Sequence, residues 1–302
     1  MKFERINKYI GTQIKRVIYF FSILPNKYSL QKKIRRVYRS RSKSSLAIDP
    51  HIMKKHYLLW KAIGTRPYGK WLRVYKSMTG MVDPDFISEP CYFHRVELIL
   101  NNKTFSYSYS DKNNYHKIID NNYLPPVYYR NIEGVSYSGS YGLLSGEGSI
   151  NEYIPCDTDK IITKTSTGPG GGKSIRLFVR SGSEWISKSG EKLDFTWLKN
   201  TYGKNYLIQQ YVVQHPFYSA FNDTSLNTIR LLIYRSVVSN EILPLQAILR
   251  IGNKGSVVDN ISSGGVACGI NADGRLRDYA FNEKGERFQK FNSVFFKECK
   301  PL

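Results

Sequence analysis

The stretch Lys160–Val179, KIITKTSTGPGGGKSIRLFV, carries most of the information on the fold. A short apolar run leads into four glycines and a proline within five positions, and Ile175, Leu177 and Val179 then recur at every second position. This alternation has the period of a β-strand. Glycine adopts positive φ and lets backbone N–H groups approach a phosphate closely. The stretch therefore predicts two strands joined by a glycine-rich turn that can fold over phosphates.

A Walker A loop is the other phosphate-binding turn to weigh against this interpretation. Gly172, Lys173 and Ser174 match its last three positions, but Thr167 stands where its first glycine is required. A Walker loop also opens a helix, whereas a strand pattern follows here. We therefore interpret the turn as the tip of a hairpin, with Lys164 and Lys173 beside the phosphates. A plain surface turn is the alternative.

The charge of the chain is concentrated in its first quarter. The 302 residues carry a net charge of +21, and residues 1–80 hold 20 Lys and Arg against only two acids. With 41% hydrophobic residues the chain has the composition of a folded protein. The asymmetry predicts an anionic partner for residues 1–80, which could be nucleic acid, a membrane surface or a phosphorylated substrate.

The pattern of apolar residues predicts helices before residue 80 and mostly strands after it. The predicted helices are Ile52–Ile63, Trp71–Met78, a short one capped by Asp111, and Leu193–Lys199. The predicted strands are Val96–Leu100, Phe105–Tyr109, Val127–Tyr129, Lys160–Thr163, Ser174–Val179, Tyr206–Val213, Thr228–Tyr234 and Ile242–Ile251, with a loop over 134–150. No alternating βαβ units are present, so the predicted fold class is α/β of the α+β kind with antiparallel sheets.

Cysteine use and apolar runs favour a cytoplasmic protein. The four cysteines lie far apart without a zinc-like spacing, and reduced thiols are the plain interpretation. The longest early apolar run, Val17–Leu24, is well short of the about 20 residues that a membrane span needs. This basic segment either packs against the body of the protein or lies on the inner face of the membrane as a peripheral element.

Five short motifs follow one another between residues 80 and 285. They are Asp111-Lys112-Asn113 with Pro125-Pro126, Ile162-Thr163-Lys164 before the glycine-rich turn, Ile208-Gln209-Gln210-Tyr211-Val212, Ser225-Leu226-Asn227-Thr228-Ile229-Arg230 with Leu249-Arg250, and Val258-Asp259-Asn260-Ile261-Ser262-Ser263-Gly264-Gly265. In this order they resemble ATP-grasp proteins, and most closely the sugar-transfer-associated ATP-grasp group among polysaccharide-biosynthesis proteins, which is related to α-L-glutamate ligases. The resemblance implies a basic helical region over 1–80 and a nucleotide-gripping domain over 81–302, divided into 81–157 and 158–302.

The resemblance also implies roles for individual residues. Two lysines would hold the α- and β-phosphates of ATP, the glycine-rich turn would contact the transferring phosphate, and the third motif would hold adenine through its backbone. These residues are Lys112 and Lys164, then Gly170, Gly171, Gly172 and Lys173, then Gln210, Tyr211 and Val212. Arg230 and Arg250 would be catalytic, because a fixed guanidinium stabilises an acyl-phosphate-like transition state. Asn227, Asp259 and Asn260 would bind the acceptor substrate. Pairing of the arginines with carboxylates, and a simple turn at Asp259-Asn260, remain the alternatives.

The implied cofactors are ATP and Mg²⁺, but the metal ligands of the family have no counterpart in this sequence. An Asp before a strand and a Glu-x-Asn after it supply them in the family. The acids after Gly274 are Asp278, Glu283, Glu286 and Glu298, and none has that spacing. The last helix and two strands of the family are also expected to be missing, which leaves a truncated chain or a nucleotide binder without catalysis as open alternatives.

The function implied by the resemblance is an ATP-dependent ligase or transferase that joins a carboxylate to an amine or hydroxyl in cell-surface polysaccharide biosynthesis. Residues 1–80 would suit a phosphate-bearing or lipid-linked sugar at the membrane. A non-catalytic binder of anionic polymers is the first alternative, although no zinc, RRM or KH pattern favours nucleic acid. A nucleotide-sugar glycosyltransferase is the second, with Asp83-Pro84-Asp85 as a poor candidate for its metal motif.

Overall fold

The structure, a computed structural model, describes residues 26–101, 104–146, 148–168, 172 and 174–300. The chain divides into two compact units, Met1–Thr104 and Phe105–Leu302, which we call the helical unit and the sheet unit. This division falls later in the chain than the predicted boundary at residue 80. Val17–Leu24 lies outside the described residues. Among the described residues, no helix has the length and apolar content that a membrane span requires.

The helical unit consists of short helices around a small apolar core. The described part of α1 covers 26–39, followed by α2 Lys43–Leu46, α3 Pro50–Ala62, α4 Lys70–Thr79, α5 Glu89–Cys91, a π-helical turn Tyr92–Val96 and α6 Glu97–Leu100. The Asp49 carboxylate caps α3 by accepting a hydrogen bond from the His51 N–H, and Gly80 ends α4 with φ +79°. The predicted helices at 52–63 and 71–78 are confirmed. Ile34, Leu46, Trp71 and Val74 form the core.

Two strand predictions are wrong, because Val96–Leu100 and Phe105–Tyr109 are helical. The first lies in the helix that Pro90 starts from the first turn, where the fixed φ of proline favours helix. The second becomes α7, Ser106–Ser110. Strand propensity is expressed only where a neighbouring strand and a buried face are available. Ile99 is 83% exposed, so no sheet partner covers this segment.

The first sheet of the sheet unit has six antiparallel strands in the order β2-β1-β6-β3-β4-β5. Its strands are β1 Val127–Ile132, β2 Val135–Ser138, β3 Lys160–Thr165, β4 Arg176–Ser181, β5 Glu184–Ser187 and β6 Tyr206–Gln210. The predicted hairpin around the glycine-rich turn is confirmed, since β3 pairs with β4. The predicted loop over 134–150 is wrong in part, since it contains β2, which pairs with β1.

The two faces of this sheet differ in character. Ile161 on β3 and Ile208 on β6 belong to the apolar core that α9, Phe195–Tyr202, covers. Side chains alternate across a strand, so Lys160, Ile162 and Lys164 point to the opposite face. That second face carries the charged residues of the sheet's centre.

The second sheet has the order β11-β10-β9-β8-β7. Its strands are β7 Thr228–Arg235, β8 Ile242–Ile251, β9 Val266–Ile270, β10 Leu276–Phe281 and β11 Arg287–Phe288, and β12 Lys290–Phe291 pairs with β13 Val294–Phe295. The short helices α8 Tyr115–Ile118 and α10 Pro216–Ser219 complete the unit. Phe221, Leu249, Cys268 and Phe296 are fully buried in the core of this part. The predicted hairpin around Ser239-Asn240 is confirmed, as is the predicted mixture of helices and antiparallel sheets.

Candidate functional site

A cleft of about 480 Å³ in the sheet unit is lined by residues of both sheets. It brings together residues that the sequence places more than a hundred positions apart. The predicted site residues that line it are Lys112, Lys164, Gly172, Arg230, Arg250, Asp259 and Asn260. Four of these seven residues carry cationic side chains, and Asp259 is the one carboxylate among the described lining residues. The cleft therefore has the charge of a site for an anion.

Lys112 is positioned by its neighbour Asp111 and by Ser166 at the start of the glycine-rich turn. The Asp111 carboxylate caps the short helical turn after it by accepting from the Asn113 N–H at 2.9 Å. The Lys112 N–H and its Nζ both donate to the Ser166 carbonyl, at 3.0 and 2.9 Å. The start of the glycine-rich turn and the Asp-Lys motif are thus joined directly.

The surroundings of Lys164 disfavour the positive charge of its ammonium group. Burial and, to a smaller extent, the neighbouring charge of Lys112 together lower the pKa of Lys164 from 10.5 to about 8. Burial also lowers the pKa of Lys112. Within the described part of the chain, the Lys164 ammonium has no hydrogen-bond or ion-pair partner. Two partly buried ammonium groups without a facing carboxylate indicate a place for a ligand's negative charge.

Side-chain hydrogen bonds fix both ends of the glycine-rich turn. Thr165 Oγ1 and Ser174 Oγ lie 2.8 Å apart. The Tyr202 hydroxyl donates to the Ser174 carbonyl at 2.9 Å and accepts from Thr163 Oγ1 at 2.8 Å. The strands on each side of the turn are therefore tied together through Tyr202, a residue that the sequence did not single out.

Position 172 requires glycine for two reasons, its backbone conformation and the space around it. Its φ is +65°, and a Cβ at this position would collide with Val258. The glycine thus lets the end of the turn pack against the last sequence motif. Gly170, Gly171 and Lys173 lie outside the described residues, so their predicted phosphate contacts remain predictions.

The arginines enter the cleft from the second sheet. Arg250 forms an ion pair with the Asp259 carboxylate, whose other oxygen accepts from the Thr228 hydroxyl. Thr228 and Arg250 are also direct neighbours in the β7–β8 register. The Arg250 Nε is buried and has no hydrogen-bond partner among the described residues. Asp259 therefore fixes Arg250 through one end of its guanidinium and leaves an N–H available to a ligand.

Arg230 lies two residues from Thr228 along β7, on the same face of the strand. Its side chain is exposed, lines the cleft and has no partner among the described residues. The two arginines thus differ, since Arg250 is held by a carboxylate and Arg230 is not. Asn260 also lines the cleft, and its carbonyl accepts from the N–H groups of Ser263 and Gly265.

Asn227 serves the fold rather than the lining of the cleft. Its Nδ2 donates to the carbonyls of Tyr218 and Asn222, at 2.8 and 2.9 Å. Its Oδ1 accepts from Ser225 Oγ at 2.6 Å and from the Gly252 N–H at 3.1 Å. All four hydrogen-bonding positions of the amide are therefore used to join the loops before β7 and after β8. The predicted contact of Asn227 with a substrate stays a prediction.

Two of the three residues predicted to hold adenine lie at a second cavity, of about 610 Å³, and the third, Val212, does not line it. Gln210 and Tyr211 line it, together with Lys160, whose Nζ lies 5.6 Å from the centre of the Tyr211 ring. The Val212 N–H has no hydrogen-bond partner within the described residues. Lys160 and Lys164 share one face of β3 and are separated by about 13 Å of strand. Lys160 at the second cavity and Lys164 at the cleft therefore lie on the same face of the first sheet.

Arg130 is a buried cation that the sequence analysis missed. It is completely buried, and its guanidinium lies 4.4 Å from the centre of the Tyr141 ring. Burial lowers its pKa, and its Nη2 has no hydrogen-bond partner in the described chain. Arg130 and Lys164 both pair with Leu207, one from each side, so they occupy one row of the charged face. A charged residue directly after Val127, Tyr128 and Tyr129, inside a predicted strand, was the sequence signal that could have found it.

The described residues do not fit a magnesium ion. A protein site for Mg²⁺ requires free oxygen ligands, usually carboxylates. Asp259 already binds Arg250 and Thr228, and no group of three His, Cys, Asp or Glu among the described residues could hold a metal. The cleft's own charge is cationic, which suits a phosphate rather than a cation.

Comparison with known proteins gives one result that agrees with this geometry. The profile of a family described as sugar-transfer associated ATP-grasp matches residues 94–292, which is more than half of the chain. No curated protein and no solved structure gives a significant match. The matched range contains both sheets, the glycine-rich turn and every described residue of the cleft. The chain therefore belongs to the sugar-transfer-associated ATP-grasp family.

Proposed function

We propose that the cleft binds the phosphates of ATP. The observation that carries this proposal is Lys164, whose pKa of about 8 reflects its burial beside the positive charge of Lys112. A triphosphate between them would remove that repulsion and supply the missing partner. Arg230 and the free Nε of Arg250 would contact the outer phosphates from the second sheet.

The adenine would occupy the second cavity. The Tyr211 ring offers an apolar wall, and the Gln210 side chain offers polar groups for the base. The spacing of about 13 Å between Lys160 and Lys164 along β3 suits a ligand whose base lies near the first residue and whose phosphates lie near the second. This orientation gives the two cavities one extended ligand.

The reaction proposed for this site is the ATP-dependent joining of a carboxylate to an amine or hydroxyl in cell-surface polysaccharide biosynthesis. A substrate carboxylate oxygen attacks the γ-phosphorus, the bond to the β-γ bridging oxygen breaks, and ADP leaves with that electron pair. The amine or hydroxyl then attacks the acyl carbon and phosphate leaves. Arg230 and Arg250 would stabilise the charge on the transferring group, as fixed cations do in phosphoryl transfer. The family's association with sugar transfer supports this class of reaction.

Four cations among the described residues would neutralise the negative charge of the triphosphate. The family generally uses Mg²⁺ with ATP, but the carboxylates that would hold it are not assembled in the described part of the cleft. Lys112, Lys164, Arg230 and Arg250 contribute formal charges that oppose the triphosphate directly. Binding of ATP without added magnesium is therefore a direct consequence of the proposed geometry.

A phosphate-bearing or lipid-linked sugar is the proposed acceptor. The positive charge of residues 1–80 supports this part of the proposal, together with a cytoplasmic position at the inner face of the membrane. Nucleic acid is less favoured as a partner, because the basic region contains no recognised nucleic-acid-binding motif.

Calorimetric titration with ATP, with and without Mg²⁺, tests the function. Lys164→Met should weaken ATP binding at least about tenfold, because it removes a charge-assisted contact in a partly buried site. Lys188→Met is the matched control, since Lys188 is an exposed lysine of the same unit. Unchanged binding in Lys164→Met, or equal losses in both variants, would contradict the proposal. Salt-sensitive binding of any polyanion, without a preference for ATP, would favour the polymer-binding alternative.

A further inference from the structure

A second cationic cavity lies entirely within the helical unit. Its volume is about 200 Å³, and it is lined by residues from the first described turns of α1, from the segment between α3 and α4, and from the segment Ser88, Pro90, Cys91, His94 and Arg95. Lys27, Arg66 and Arg95 each contribute a positive charge to its wall. These residues are spread over almost seventy positions of the sequence, so the fold, and not a local run of basic residues, assembles them.

The charges of this cavity are not neutralised by the protein. No Asp or Glu is among the described residues that line it. Lys27, Arg66 and Arg95 have no ion-pair or hydrogen-bond partner in the described part of the chain. Cations usually avoid one another on a protein surface unless a ligand or a carboxylate separates them. The arrangement therefore indicates an anionic ligand.

Arg35 and Lys70 add positive charge next to Tyr68, a residue that lines the cavity. The Tyr68 hydroxyl accepts a hydrogen bond from Arg35 Nε at 3.2 Å. Burial acts in the opposite direction, but the hydrogen bonds and charges of Arg35 and Lys70 lower the pKa of Tyr68. Burial and the charge of Lys27 lower the pKa of His94. The cavity thus has a positive potential to which residues of several segments contribute.

Size and polar lining narrow the chemical class of the ligand. Sites for drug-sized molecules usually enclose about 300–1,000 Å³, so this cavity is too small for a whole nucleotide. Gln31 and Ser88 add neutral hydrogen-bonding groups beside the guanidinium forks of Arg66 and Arg95. Such forks match the oxygens of a phosphate in a bidentate manner.

We propose that this cavity binds a phosphate or diphosphate ester group. The group could belong to a membrane lipid or to a soluble phosphorylated compound, since both present the same oxygens. The site uses residues of the helical unit only, so the proposal does not depend on ATP binding in the sheet unit. It would give the protein a second anion site for a ligand other than the nucleotide.

The test uses the full chain carrying Lys164→Met, so that anion binding in the sheet-unit cleft is weakened. In this background, Arg66→Gln with Arg95→Gln removes two cations from the cavity. Lys54→Gln with Lys55→Gln makes the same charge change on the exposed face of α3, away from the cavity. Thermal melting establishes that each pair folds. Lys27→Gln, in the described part of α1, gives an independent variant should the arginine pair fail to fold.

The first arm is calorimetry with inorganic diphosphate. We expect one binding site, weakened at least about tenfold by the arginine pair and less than about twofold by the lysine pair. The second arm is co-sedimentation with phosphatidylcholine vesicles that contain either phosphatidic acid, which has a terminal phosphate, or phosphatidylglycerol, which has the charge without it.

The outcomes separate the sources of the ligand. Diphosphate binding that the arginine pair removes supports the site with a soluble ligand. Sedimentation that requires phosphatidic acid and the two arginines supports it with a lipid ligand. Absence of diphosphate binding together with absent or equal sedimentation on the two anionic lipids, or equal losses in the arginine and lysine pairs, would overturn the proposal.

Discussion

The cleft of the sheet unit and the cavity of the helical unit both collect cations, but they do so in different ways. In the cleft, Lys164 stands on a β-strand and is largely withdrawn from water, and Arg250 is fixed by the Asp259 carboxylate. In the cavity, Arg66 and Arg95 are exposed side chains on a loop and a helical segment. The cleft therefore positions cations on paired strands, whereas the cavity presents cations on exposed side chains.

This difference determines how each site should recognise its ligand. Buried charges interact through a lower effective dielectric and are less screened by salt than exposed charges are. A framework of paired strands also fixes the positions of its cations before a ligand arrives, which reduces the entropy lost on binding. The cleft should therefore select the shape of its anion, whereas the cavity should respond mainly to charge.

The largest expected effect is a loss of stability on substitution of Gly172, which lines the cleft at the end of the glycine-rich turn. Gly172→Ala combines a left-handed backbone with a collision against Val258, and should destabilise the protein by about 3 kcal/mol. Gly182→Ala is the control, since its φ is +63° and nothing lies within contact of an added Cβ. It should cost only about 1 kcal/mol. Urea unfolding measures both, and equal losses would show that Val258 does not restrict the turn.

The next effect is a gain in stability from removing the cleft's own cation. Charging Lys164 in the folded state is unfavourable, because burial and Lys112 lower its pKa from 10.5 to about 8. Lys164→Met should therefore raise the free energy of unfolding at pH 7 by about 2 kcal/mol, allowing for partial solvent screening. Lys188→Met should change it by less than about 0.5 kcal/mol. A destabilised Lys164→Met protein would mean that the lysine has a structural partner.

The third effect is the pH dependence of ATP binding. In the free protein Lys164 loses its proton as the pH rises through about 8, and a bound triphosphate raises its pKa again. Binding should therefore be strongest below pH 8, take up protons between the two pKa values, and weaken by up to about tenfold from pH 7.5 to pH 9. Calorimetry in buffers of different ionisation enthalpy measures the proton uptake. The uptake should disappear in Lys164→Met, and its persistence there would assign it to another group.

The smallest effect is the response to salt, which contrasts the two sites directly. Both ligands should bind more weakly as the salt concentration rises from about 0.05 to about 0.3 M. The factor by which the affinity for diphosphate falls at the helical cavity should be about two to three times the factor by which the affinity for ATP falls at the cleft. Titrations of both ligands over the same salt series give the two slopes. Equal slopes would indicate that the cleft's cations are as accessible to salt ions as those of the cavity.

The sequence allowed prediction of the elements whose signals are local. Glycines and alternating apolar residues predicted the β3–β4 hairpin, and the long β7–β8 hairpin followed from similar patterns. The ordered motifs predicted several residues that now share one cleft, including Lys164 and Arg250. Strand patterns misled at residues 96–100 and 105–109, because the choice between helix and strand there depends on neighbours that the local sequence does not specify.

The remaining features depend on contacts between distant residues. Arg130 joins the row of Lys164 only through the pairing of β1 and β3 with β6, which the sequence of its own strand does not specify. The helical cavity requires Lys27 and Arg95 to meet across the whole unit. Asn227 lies in a motif, yet its amide is fully used by backbone and side-chain partners that only the folded loops bring together.

The alternation of β3 also limits how the length of this segment can vary. Lys160 and Lys164 share a face because an even number of positions separates them. Deleting or inserting a single residue between them would turn Lys164 toward the apolar core around Ile161, or turn Lys160 there instead. Length changes in this part of the chain should therefore be tolerated in the glycine-rich turn or in pairs, and single-residue changes within β3 should not be tolerated.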